Sequence, residues 1–113
     1  MKTKSVVTAL AALAQDSRLA IFRALVQAGP EGLPAGKIGE ITGISPSSVS
    51  FHMKELSHAD MATSRNEGRF VIYSANFATM NALLAFLTEN CCGGNPYLPL
   101  CTPGCAPAES ASS

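Results

Sequence analysis

The chain has 113 residues, 47% of them hydrophobic, enough for one modest core and a single domain. Eight basic side chains balance eight acidic ones, which excludes a protein that finds a polyanion through overall charge and leaves any such role to local arrangement. No run approaches the roughly 20 apolar residues of a membrane-spanning helix, so no membrane partner is expected.

Lys2 and Lys4 precede "SVVTALAALA", which ends in Ala12-Leu13-Ala14, the outline of a secretory signal. Val6, Leu10 and Leu13, however, fall at i, i+4 and i+7, the stripe of a one-sided helix rather than an all-round apolar core. The segment is read as the domain's first helix and the chain as cytoplasmic, where thiols stay reduced. Asp16 is placed to cap a second helix with Leu19, Phe22, Leu25 and Val26 inward, stopped by Gly29-Pro30. "EGLP" reads as a loop, and a short helix over 35–42 carries Ile38 and Ile41 inward.

Gly43 closes that helix, and Ser45 and Pro46 open the next as N-cap and first helical residue, with Ile44 stapling against Val49. Two helices joined by about three residues at a glycine form a helix-turn-helix. The second of them runs to about Ala59 with Val49, Met53 and Leu56 buried. "MATSR" and "RFVIYS" flank Asn66-Glu67-Gly68 and read as a β-hairpin. A last helix over about 76–90 carries Phe77, Met80, Leu84 and Leu87 as one stripe, with Leu83 and Phe86 off it. That is more apolar surface than one core needs and predicts a twofold dimer. From Gly93 the composition shifts to Gly, Pro, Ser and Ala, with four of the seven prolines. The expected organisation is a domain over 1–92 and a flexible tail over 93–113.

With Val49, Met53 and Leu56 inward, Ser47, Phe51 and Lys54 face outward, with Ser48 and Ser50 on the shoulders. Short hydroxyls let a helix approach base edges closely, and Lys54 suits a phosphate. Arg65 and Arg69 bracket the wing tip, within reach of a minor groove or backbone, or else form a solvated wing with Glu67. His52 reads as a packed or phosphate-touching side chain rather than a metal ligand.

The order of elements is that of a mainly α winged helix-turn-helix. "LAQDSRLAIFRALVQAG", "ISPSSVSFHMKEL" and "EGRFVIYS" resemble the ArsR/SmtB family of small dimeric metal-responsive repressors over roughly residues 5–90. The resemblance implies a homodimer formed through the first and last helices and bound to double-stranded operator DNA. It also implies DNA contacts at Ser47, Ser50 and Phe51; Phe51 stands where many relatives have His, which suggests apolar contact with a thymine methyl.

Two inducer sites used in that family are absent: "AGKIGEIT" has no thiol, and "NFATMNALLAFLTEN" has no His and only Glu89. All four cysteines follow, as Cys91, Cys92, Cys101 and Cys105. The vicinal pair resembles an arsenite-responsive branch in which such a pair closes the dimer helix and a later tail cysteine completes the site. The metal ligands so implied are Cys91, Cys92 and Cys101, with Cys105 as the alternative third, although that branch places its third cysteine closer to the pair. Soft thiolates suit As(III), and Sb(III) likewise. Adjacent Cα atoms lie about 3.8 Å apart, short of the usual ~5.5 Å of a disulfide, so the pair resists closing on itself.

The expected function is an arsenite-released transcriptional repressor. Alternatives stay open: a Cys₄ zinc site or zinc-responsive repressor, an organoarsenical-responsive one that needs only two thiols, a thiol-disulfide sensor on the same scaffold, or an arsenic carrier without DNA. No enzyme is expected, because there is no phosphate-binding glycine loop and no nucleophile-base pair.

Overall fold

The computed structural model describes residues 1–89. The elements are α1 (Thr3–Leu13), α2 (Asp16–Ala28), a 3-10 turn (Gly29–Glu31), β1 (Leu33–Pro34), α3 (Ala35–Thr42), α4 (Pro46–His58), β2 (Ala62–Glu67), β3 (Phe70–Ala75) and α5 (Phe77–Thr88). This is the expected mainly α winged helix-turn-helix, with one addition. "EGLP" is not merely a loop: Leu33 and Pro34 form an edge strand against β3, giving an antiparallel sheet ordered β1-β3-β2. Two residues are too few to show alternation, and proline is tolerated at a sheet edge.

One core unites the helices. Ile21 and Leu25 of α2, Ile38 of α3 and Val49, Met53 and Leu56 of α4 are all fully buried, together with Met61 at the head of the wing. Several apolar stripes are rotated from their expected faces. In α1 the inward residues are Val6, Ala9 and Ala12, while Leu10 is exposed. The small alanines let α1 sit close to its neighbours and turn the leucine outward. In α2, Ile21 takes the place expected for Leu19, which is 44% exposed. Ile41 of α3 is exposed, and Ile38 alone anchors that helix. In α5 the core residue is Leu83, while Leu84 and Leu87 face outward at 52% and 55% exposure.

Caps explain most boundaries. Gln15, not Asp16, caps α2: its side-chain oxygen accepts from the Arg18 N–H at 2.9 Å, and Asp16 stands in the first turn, where its charge complements the helix dipole. Asn76 caps α5 by accepting from the Thr79 N–H. Gly43, at φ +77°, ends α3 in the left-handed conformation, and its N–H donates to Gly39 O at 2.8 Å. Ser45 and Pro46 occupy the expected cap and first-turn positions. The Ser45 hydroxyl, however, donates to Ser48 Oγ at 3.0 Å and makes no cap to the backbone.

The C-terminal end of α4 is fixed to the start of α5. Asp60 adopts φ +64°, and its carboxylate accepts from Asn76 Nδ2 at 3.4 Å and Thr79 Oγ1 at 3.2 Å. The Met61 N–H closes the helix end on Leu56 O, and Met61 O accepts from the Asn76 N–H. Among the described residues no single helix is long and apolar enough to cross a membrane.

Candidate nucleic-acid interface

The site is built on α4. With Val49, Met53 and Leu56 at 0%, 1% and 0% exposure, the helix is held by one face only. Ser47, Phe51 and Lys54 are exposed on the other, as the spacing predicted, and Ser50, expected on the shoulder, is exposed with them. Ser48 is half-buried and already engaged by Ser45, so of the three serines Ser47 and Ser50 present the freer hydroxyls. Phe51 stands 56% exposed, an expensive place for an aromatic ring unless something covers it. Its ring meets His52 edge-on, centroids 5.5 Å apart. His52 is half-buried, and its Nδ1 is buried with no hydrogen-bond partner among the described residues.

Beside α4 stands the wing. Asn66 and Glu67 belong to β2 rather than to a loop, since Glu67 pairs with Phe70 and only Gly68 and Arg69 turn the chain. Gly68 adopts φ +63°, which a two-residue turn exploits and which glycine enters without strain. Arg69 therefore sits at the tip, exposed, with no ion pair among the described residues.

Arg65 is placed differently from its sequence partner. Its Nε donates to Glu67 Oε2 at 2.7 Å, Nη2 to Glu31 O at 2.7 Å and Nη1 to Ser74 Oγ at 3.3 Å. Ser74 Oγ in turn donates to Pro30 O at 3.2 Å. The guanidinium thus ties the wing to the 3-10 turn after α2. Of the two arginines, Arg69 is the free cation at the wing tip.

Between α3, α4 and the wing lies an open cleft of about 530 Å³, lined by Lys37, Ser50, Arg69, Phe70 and Tyr73 among others. Lys37 was missed in the sequence because its position matters only once α3 is seen beside the wing; it pairs with Glu40 at 3.6 Å, both side chains remaining mostly exposed. The surface thus combines a protruding helix with hydroxyls and one aromatic ring, flanked by cations at the cleft and wing. A 13-residue helix held by one face is shaped to enter a groove about 12 Å wide.

Residues 13–65 match a family model described as a helix-turn-helix domain. Over 78 residues the chain is 40% identical to the uncharacterized HTH-type transcriptional regulator YceK of Bacillus subtilis (strain 168), covering 69% of this chain and 77% of that one. The chain belongs to the HTH-type transcriptional regulators. Two solved structures share this regulator's fold. One is an ArsR-like transcriptional regulator from Rhodococcus sp. RHA1, with a TM-score of 0.66 at 23% identity over 74% of this chain and 76% of that one. The other is a homodimeric winged helix-turn-helix domain from Mycobacterium bovis, described as a possible ArsR-family regulator, with a TM-score of 0.61 at 21% identity over 84% and 88%.

Cys91, Cys92, Cys101 and Cys105, and with them the domain boundary placed at residue 92, lie outside the described residues of this regulator. Among the described residues no group of three His, Cys, Asp or Glu is placed to hold a metal ion.

Proposed function

We propose that the regulator is a homodimeric repressor that binds double-stranded operator DNA through α4 and the wing and is released by As(III). The observation that carries DNA binding is the outer face of α4, where Ser47, Ser50, Phe51 and Lys54 are exposed on a helix whose opposite face is locked in the core. Ser47 and Ser50 would read base edges, Phe51 a thymine methyl, and Lys54 and Arg69 the phosphates. Exposed Val7 and Leu10 of α1 and Leu87 of α5 support a dimer formed by the first and last helices, as does the homodimeric neighbour. Two α4 helices about 34 Å apart would then enter successive major grooves.

Thiolate chemistry supports As(III) as the signal, with Sb(III) as a second soft centre of the same kind. Cys91 and Cys92 lie three and four residues past the end of α5, and Cys101, or alternatively Cys105, would supply the third sulfur. The Asp60 carboxylate, which accepts from Asn76 and Thr79, would link the N-terminal end of α5 to the end of α4, so that a shift of α5 as a rigid helix would reach α4. If coordination disfavours the DNA-competent arrangement by about 3 kcal/mol, affinity falls more than a hundredfold.

The test is fluorescence anisotropy of an operator fragment with the reduced protein, titrated with arsenite and separately with zinc. Release by arsenite alone is expected, and Cys91→Ser or Cys92→Ser should keep DNA binding while abolishing release. Release by zinc instead, or a defined disulfide after mild peroxide, would replace the arsenite reading with a zinc or redox one.

A further inference from the structure

An apolar groove runs between α2 and α5, apart from the DNA-facing surface. Its walls are Leu19, Phe22 and Val26 of α2 and Met80, Leu83 and Leu84 of α5, around a volume of about 420 Å³. Leu19 and Leu84, two of the exposed leucines that the sequence placed on inward stripes, stand on its rims. A groove so lined leaves apolar surface in water unless something fills it.

We infer that this groove is the seat of the chain's own segment Tyr97-Leu98-Pro99-Leu100, folded back along α5. Of the 24 residues beyond Glu89, these form the apolar stretch, and none of residues 90–100 carries a charge. Helix α5 ends at Thr88, one turn past Leu84 on the groove rim. From Glu89 back to the level of Met80 is about 14 Å at helical rise, whereas the eight residues from Glu89 to Tyr97 span up to about 26 Å when extended. Gly93-Gly94 supplies the reversal without steric cost. A proline restricts its own φ, so a segment with Pro96 and Pro99 would lose less conformational freedom on docking.

The same reversal would bring Cys101 back toward Cys91 and Cys92. That consequence rests on the arsenite reading above; occupancy of the groove does not, and it is tested without arsenic. The full reduced chain, labelled at its methionine methyls, has reporters in the groove at Met80 and at Met61, which also lines it. The expected result is nuclear Overhauser contacts from the Tyr97 ring to the Met80 methyl within one chain. In the Tyr97→Ser, Leu98→Asp double variant these contacts should be lost and the Met80 and Met61 resonances shifted, while Met53 in the core stays in place. Methionine resonances unchanged by the double variant would overturn the inference. So would Met80 shifts that follow protein concentration and ignore the tail, which would assign the groove to a second copy. Contacts found only between differently labelled chains would assign it to a partner's tail, and would overturn it as well.

Discussion

Phe51 and the two wing arginines show how single positions divide between holding the fold and using it. Phe51 is exposed, so Phe51→Ala should leave stability within about 0.5 kcal/mol. It should weaken operator binding by the dimer about tenfold, two lost apolar contacts of roughly 0.7 kcal/mol each, as read by anisotropy at fixed salt. Unchanged affinity would leave the ring without a role on DNA. Arg65 and Arg69 should separate in the opposite sense. Arg65→Ala removes the donor shared by Glu31 O, Ser74 Oγ and Glu67 and should cost about 1–2 kcal/mol in urea unfolding, discounted because the side chain is 43% exposed. Arg65→Lys should recover little of it, because one ammonium cannot reproduce a planar fork aimed at three acceptors. Arg69→Ala should leave the unfolding midpoint unchanged and reduce DNA affinity. Equal loss of stability in both variants would mean that the tip is held by contacts other than those of Arg65.

At the scale of elements, the helices and the hairpin were legible because each carries its own punctuation. Gly43, Ser45 and Pro46 mark the turn between α3 and α4, and the burial of Val49, Met53 and Leu56 followed directly from their spacing. The faces of α1, α2 and α5 were less legible for one shared reason. Each is apolar over more than one face, so periodicity alone could not say whether Leu10, Leu19 or Leu84 turned inward. In α1, Ala9 and Ala12 are buried while Leu10 is left outside. In the site, the serines and Phe51 were legible from α4's period. The role of Arg65 was not, because its acceptors Glu31 O and Ser74 Oγ lie 34 and 9 residues away. The outward leucines carry a prediction of their own. Leu87→Glu, at a residue 55% exposed, should leave the monomer folded by circular dichroism and shift sedimentation from dimer toward monomer. A variant that stays dimeric would place the interface away from that face of α5.

For the whole molecule, eight positive charges against eight negative leave no general attraction for DNA, so binding must come from a few placed cations. On the side proposed to face DNA these are Arg69 at the cleft, Lys54 on α4 and Lys37, whose exposed contact with Glu40 is long at 3.6 Å, while Arg65 is held by Glu67 at 2.7 Å. Two protomers would engage about six phosphates, which sets the slope of log affinity against log salt near −5. Replacing Lys54 or Arg69 by Ala should each make that slope shallower by about 2, since one substitution removes two contacts from a dimer, and should weaken binding to all sequences alike. Phe51→Ala should lower affinity at every salt concentration with the slope unchanged, which distinguishes a base contact from a phosphate contact in one titration series. A parent slope near −10 would require further cations to reach the backbone. A slope near zero would remove phosphate contact from the interface and with it the placement of α4 in a groove.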